Sequence, residues 1–216
     1  MILWICIILI FPFVLILFPT KIYGKKYLKK VKKQATIFAS NHQTNNDVII
    51  LKCRICPNSK IMAKNSLFKN KVGGFFLRKF GGYPVDRGGN DISAIKTTLK
   101  ILKSNKQILL FPEGTRMKNA EEISVKNGLS LFAIKTDSYV VPMCFRKITM
   151  PFVFNKLMMG KPFKFSEYPE LAGGKTDKES LETASKILEE KMQYLRTVKI
   201  KEYKLEYKEY KRSLKK

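Results

Sequence analysis

Short apolar runs alternate along this chain with stretches of helical period, and that alternation constrains the fold more than any single residue. Thr36-Ile37-Phe38-Ala39, Ser59 to Ala63 and Gln107-Ile108-Leu109-Leu110 read as buried strands, and Tyr139 to Phe145 as a strand interrupted by Pro142. Between the second and third of these, Asp91 to Lys103 places Ile92, Ile95, Leu99 and Leu102 on one helical face, with Asn90 or Asp91 as N-cap. Gly128 to Thr136 reads as another helix. Strand and covering helix in turn predict an α/β fold, with a mixed, largely parallel sheet.

In such folds the chemistry collects where strands end, and here the strand ends carry charge. The first strand delivers the chain's only histidine, His42, in Ser40-Asn41-His42-Gln43-Thr44-Asn45-Asn46-Asp47. An imidazole with a carboxylate close by is the minimum equipment for taking a proton from a hydroxyl near neutral pH. The plainer reading makes His42 a loop residue and Asp47 a cap for the apolar run Val48-Ile49-Ile50-Leu51. The third strand runs into Phe111-Pro112-Glu113-Gly114-Thr115-Arg116, and Gly81-Gly82-Tyr83-Pro84-Val85-Asp86-Arg87 presents another arginine after a turn.

The blocks from His42 to Asp47, Gly82 to Arg87 and Phe111 to Arg116, with a weaker one at Val141-Pro142-Met143, resemble in order and approximate spacing the lysophosphatidate acyltransferase family, the 1-acyl-sn-glycerol-3-phosphate O-acyltransferases. The resemblance covers roughly residues 35 to 165, a span suited to one domain. Met117 departs from the serine that usually follows the last arginine, and Gln43-Thr44-Asn45-Asn46 from the smaller or aromatic residues usual in the gap.

The resemblance implies a glycerolipid acyltransferase-like fold and transfer of an acyl group from acyl-CoA or acyl-ACP to the sn-2 hydroxyl of lysophosphatidate. His42 is then the base and Asp47 its orienting carboxylate, while Lys64, Arg87 and Arg116 meet the acceptor phosphate. Glu113 holds an arginine or touches acceptor hydroxyls, with pairing to Lys118 as the plainer alternative. Gly114 and Thr115 form the turn beside substrate. Direct transfer needs no cofactor beyond the acyl thioester and no metal. Glycerol 3-phosphate or another lysophospholipid remains an alternative acceptor.

The formal charge of +25, from 42 Lys+Arg against 17 Asp+Glu, calls for a polyanionic partner. The apolar run Ile2 to Phe18, followed by Lys21, Lys25, Lys26, Lys29, Lys30, Lys32 and Lys33, favours an anionic membrane over nucleic acid, for which no binding motif is found. A non-catalytic lipid-binding or nucleic-acid-binding protein is the remaining alternative class. The run has neither the basic region before it nor the small-residue site after it that a cleaved signal peptide carries. Basic residues after the run place the catalytic domain on the cytoplasmic side.

The predicted organisation is an N-terminal membrane helix over 1–20, a basic juxtamembrane segment over 21–34, an acyltransferase domain over 35–175 and a helical basic extension over 176–216. In the extension, Thr176-Asp177-Lys178-Glu179 has capping-box form, and Ile200, Tyr203, Tyr207, Tyr210 and Leu214 form a stripe among lysines, suited either to a membrane surface or to helix packing. Cys53-Arg54-Ile55-Cys56 has metal-pair spacing, but no second pair completes a structural zinc set, so Cys6, Cys53, Cys56 and Cys144 read as reduced thiols.

Overall fold

A computed structural model describes residues 12–86, 91–116 and 123–213. Seven strands form one sheet in the order β1-β7-β6-β2-β5-β3-β4: β1 Thr20–Tyr23, β2 Thr36–Ser40, β3 Lys60–Lys64, β4 Gly82–Val85, β5 Gln107–Leu110, β6 Tyr139–Phe145 and β7 Asn155–Met159. Every pairing is parallel except β6 with β7. β2 is buried along its whole length, as a central strand covered on both faces must be.

Among the described residues, beyond a helical stretch at 12–17, six helices cover the sheet: α1 Asn45–Arg54, α2 Lys71–Lys79, α3 Ile92–Lys103, α4 Asn127–Thr136, α5 Lys178–Thr197 and α6 Ile200–Ser213. The chain leaves β2 toward β3 and leaves β5 toward β6, in opposite directions along the sheet. Right-handed crossovers put those two connections on opposite faces and open a crevice between the carboxyl ends of β2 and β5. α3, α4 and α5 pack in sequence on one face.

Local chemistry explains most of these elements. Asp91 caps α3 by accepting the Ala94 N–H at 2.9 Å. At α5 the cap is Asp177, which accepts the Ser180 N–H at 2.8 Å. Pro142 does not interrupt β6, which pairs with β2 straight through it, Ala39 lying opposite. The Pro142 carbonyl accepts from Gly160 N–H at 2.8 Å. Within a strand the missing N–H would face that same side, beyond the end of β7, so the ladder to β2 loses nothing.

The expected boundaries are redrawn by the core. Residues 1–11 of the predicted membrane helix lie outside the described residues. Of the remainder, 12–17 are helical, Val14 and Phe18 are buried against the domain, and Thr20–Tyr23 forms an edge strand parallel to β7. Among the described residues no helix is long and apolar enough to cross a membrane. The segment expected to be a juxtamembrane link therefore contributes a strand and the buried Tyr27 and Val31.

The C-terminal extension is built in as well, because its apolar stripe faces protein. Leu188 and Met192 of α5 are fully buried, and Tyr203 of α6 is buried with its hydroxyl on the Met159 carbonyl. Tyr207 accepts the Lys26 N–H at 2.7 Å, and Tyr210 lies 4.5 Å from Tyr27, ring centre to ring centre. Gly24 sits beneath this contact at φ 87°, where a β-carbon would collide with the Tyr203 hydroxyl. Leu214 lies outside the described residues.

Candidate active site

β2 ends at Ser40, and the next residue fixes the histidine loop. The buried Asn41 side chain donates to the Phe145 carbonyl at 3.0 Å and accepts the Phe145 N–H at 2.8 Å, clamping the ends of β2 and β6 together. His42 follows, its ring stacked on Phe111 at 4.1 Å between centroids and 23° between planes. Its Nδ1 stands 3.4 Å from Asp47 Oδ2. Such an Nδ1 contact leaves Nε2 as the nitrogen that can accept a proton.

Asp47 lies in the first turn of α1 and is fully buried. Its carboxylate accepts the Gln43 N–H at 2.6 Å, the Thr44 N–H at 2.7 Å and the Thr149 hydroxyl at 2.6 Å. The side chain that caps the helix is thus also the one beside the histidine ring. The helix N-terminus adds its partial positive charge to those donors.

Glu113, 5% exposed, accepts the His42 backbone N–H at 2.9 Å through Oε2, so it braces the histidine loop from behind. Among the described residues its other oxygen has no partner. Burial pushes its pKa up to about 7; Asp47 adds to this, while the His42 N–H and the Arg196 charge oppose it. The folded chain therefore holds this proton from about pH 4.5 to about 7, where an unfolded chain does not, and the stability it confers, full below about 4.5, is lost progressively as pH rises from there through about 7. Between about pH 5 and about pH 8 the native chain is expected to lose more Tm than Glu113→Gln, which cannot titrate. Parallel melting curves for the two would contradict this.

A cavity of about 290 Å³ opens in front of His42, with Met62, Val85 and Phe111 as apolar wall and Asp86, Gly114, Thr115 and Lys126 at its lip. Gly114 adopts φ 72°, a backbone conformation that other residues rarely take, and a β-carbon there would make ordinary contact with the Lys126 side chain. A larger cavity of about 670 Å³, under α6 and lined by Tyr27, Tyr203 and Tyr210, holds none of these residues.

The structure thus gathers His42, Asp47, Glu113, Gly114 and Thr115 at the carboxyl ends of β2 and β5. Lys64 ends β3 and Arg116 follows the turn; both are exposed and neither lines the cavity. Arg87 lies outside the described residues, as do Lys118, the alternative partner for Glu113, and Cys6. Among the described residues Glu113 binds a backbone N–H and forms no ion pair with an arginine. Sequence reasoning missed Phe111 as the ring beneath His42, Lys126 as a cation at the lip, and Thr149 on Asp47. Phe111 stands inside the third block, but nothing local marks Thr149, far along the chain from its partner.

Cys53, Cys56 and Cys144 are buried free thiols, and burial pushes Cys56 up to about 11 and Cys144 up to about 12. Cys56 Sγ donates to the Leu51 carbonyl at the end of α1. These sulfurs fill core volume.

A histidine beside a buried carboxylate at a strand-end crevice, with Lys126 at the lip of the cavity it faces, is an arrangement of an α/β fold able to take a proton from a hydroxyl. The acyltransferase family model matches residues 19–146, and the chain belongs to that family. It is 33% identical over 162 residues to a Bacillus subtilis 1-acyl-sn-glycerol-3-phosphate acyltransferase, an alignment covering 70% of this chain and 77% of that one. The protein of the same name from Streptococcus pneumoniae is 32% identical, over 50% of this chain and 40% of that one. The fold is similar to the crystal structure of the 1-acyl-sn-glycerophosphate acyltransferase of Thermotoga maritima, with TM-score 0.62 and 18% identity, over 83% of this chain and 73% of that one.

Proposed function

We propose that this chain acylates the sn-2 hydroxyl of lysophosphatidate, giving phosphatidate for phospholipid synthesis. The observation that carries this reading is the His42–Asp47 pair at an apolar-walled cavity that His42 lines and whose lip carries Lys126. His42 Nε2 removes the hydroxyl proton as the oxygen attacks the thioester carbonyl, and Asp47 supports the resulting imidazolium. The tetrahedral intermediate collapses with cleavage of the carbon–sulfur bond. The departing thiolate, of coenzyme A or acyl carrier protein, takes the proton back from His42.

Arg116 and Lys126, with Arg87 and Lys64, are the cations for the acceptor phosphate; arginine forks match phosphate oxygens and lysines act as point charges. Glu113 holds the His42 loop in register. No cofactor enters these steps beyond the acyl thioester. The acceptor is a membrane lipid, so the enzyme works at an anionic membrane surface, with the catalytic domain on the cytoplasmic side. Nucleic acid is not a partner in this reading.

Thiol release from acyl-CoA, then from acyl-ACP, with lysophosphatidate or glycerol 3-phosphate as acceptor, tests the proposal. Release that requires lysophosphatidate supports it, and preference for glycerol 3-phosphate refutes the acceptor. Silence with every pairing refutes the reaction. In the same assay Arg116→Ala is expected to raise KM for lysophosphatidate by about tenfold, the scale of one lost charge-assisted hydrogen bond, and an unchanged KM would remove Arg116 from the phosphate site.

A further inference from the structure

The large apolar side chains that the described residues leave in solvent are not scattered. Tyr194 and Leu205 apart, they lie on segments that enter or leave the sheet rim where His42 stands. On one shoulder of the cavity, the turn between β6 and β7 exposes Phe152 by 74% and Phe154 by 80%. The chain leading into β1 runs beside it, with Phe152 N–H donating to the Leu17 carbonyl at 2.6 Å, and exposes Phe13 and Ile16. On the other shoulder, beyond β3, α2 exposes Val72, Phe75 and Phe76.

The first shoulder is held open. Asn155 bonds the Met150 and Val153 carbonyls, and Thr149, in the same turn, is fastened to Asp47. Phe152 sits at φ 59°, an unusual conformation for an aromatic residue that persists only where its surroundings enforce it. Rings kept in water on a rigid frame mark a contact surface. Basic side chains border both shoulders: Arg146 and Lys147 before the turn, and Lys69, Lys71 and Lys79 around α2. With a net charge of +25 and apolar tips on both sides of one cavity mouth, the partner of matching chemistry is an anionic lipid bilayer. A protein seated across both shoulders would close the mouth.

The geometry points to a bilayer-seating face: the turn carrying Phe152 and Phe154 and the outer side of α2 insert together into an anionic leaflet. The acceptor then passes from lipid to His42 without crossing water. The use made of the face rests on the function proposed above; lipid binding itself does not.

The test uses the full chain, its Phe152→Ser/Phe154→Ser and Val72→Ser/Phe75→Ser variants, and Leu205→Ser as an exposed-residue control. Partitioning onto vesicles of phosphatidylcholine and phosphatidylglycerol is measured by sedimentation, and acyl transfer with lysophosphatidate either embedded in those vesicles or supplied as a water-soluble short-chain analogue. Each double variant is expected to lose about tenfold or more in partitioning, the scale of burying aromatic side chains. Transfer to the embedded acceptor should fall with it, while transfer to the soluble one stays within about twofold and Leu205→Ser behaves as native.

Native-level partitioning in both double variants overturns the inference. So does an equal loss on both acceptors, which would assign the rings to the fold, or a native dimer that the variants dissociate, which would assign the face to a second copy. Absence of transfer by the native chain from every donor refutes the function alone, since partitioning still decides the surface.

Discussion

His42→Ala is expected to lower kcat by about 10²–10⁴, the usual contribution of a positioned general base. No other imidazole exists in the chain to take over the proton. The ring is a lid on Phe111 rather than a core element, and its two backbone anchors, the Glu113 contact and the Asn41 clamp beside it, survive truncation. Tm should therefore stay close to native. Kinetics with acyl-CoA and lysophosphatidate beside a thermal melt check both halves, and a variant retaining more than about a tenth of native kcat would remove His42 from the chemistry.

Asp47→Ala is expected to damage activity and stability together, because one buried carboxylate serves both. Removing it frees the Nδ1 side of His42 and strands the N–H groups of Gln43 and Thr44, while the Thr149 hydroxyl keeps only the Thr44 hydroxyl as partner. A buried donor left without a partner costs about 1–3 kcal/mol. For a chain of this size, each kcal/mol corresponds to about 2–4 °C in Tm. A fall of several degrees should accompany a drop of about 10²-fold or more in kcat. Asp47→Asn, similar in shape, should recover part of the stability and little of the activity. A native Tm for Asp47→Ala would mean that the loop is held by other contacts, and a native kcat that His42 needs no orienting partner.

The two substitutions differ because the residues are legible in different ways. His42 stands out as a sole imidazole, whereas Asp47 can be read either as helix cap or as its partner. In the folded chain it is both: the first turn of α1 aims its side chain back at the loop it caps. Glu113 belongs to the site, as its block implies, and among the described residues its partner is a backbone N–H from another strand's end.

Local pattern by itself determined the α/β class, the central strands β2, β5 and β6 and the helices α3 to α6, because periodicity and capping act over a few residues, while the blocks that meet at the site were legible through their resemblance to a known family. Tertiary structure alone decided what those segments touch. It made an edge strand of Thr20–Tyr23 and packed the tyrosine stripe of α6 on Tyr27 in place of lipid. It buried Lys52 fully, its ammonium bonded to the Pro57 and Ser59 carbonyls and its pKa lowered to about 8 by desolvation. It also brought Thr149 to Asp47, and such pairings arise from strand order, which short-range propensity does not encode.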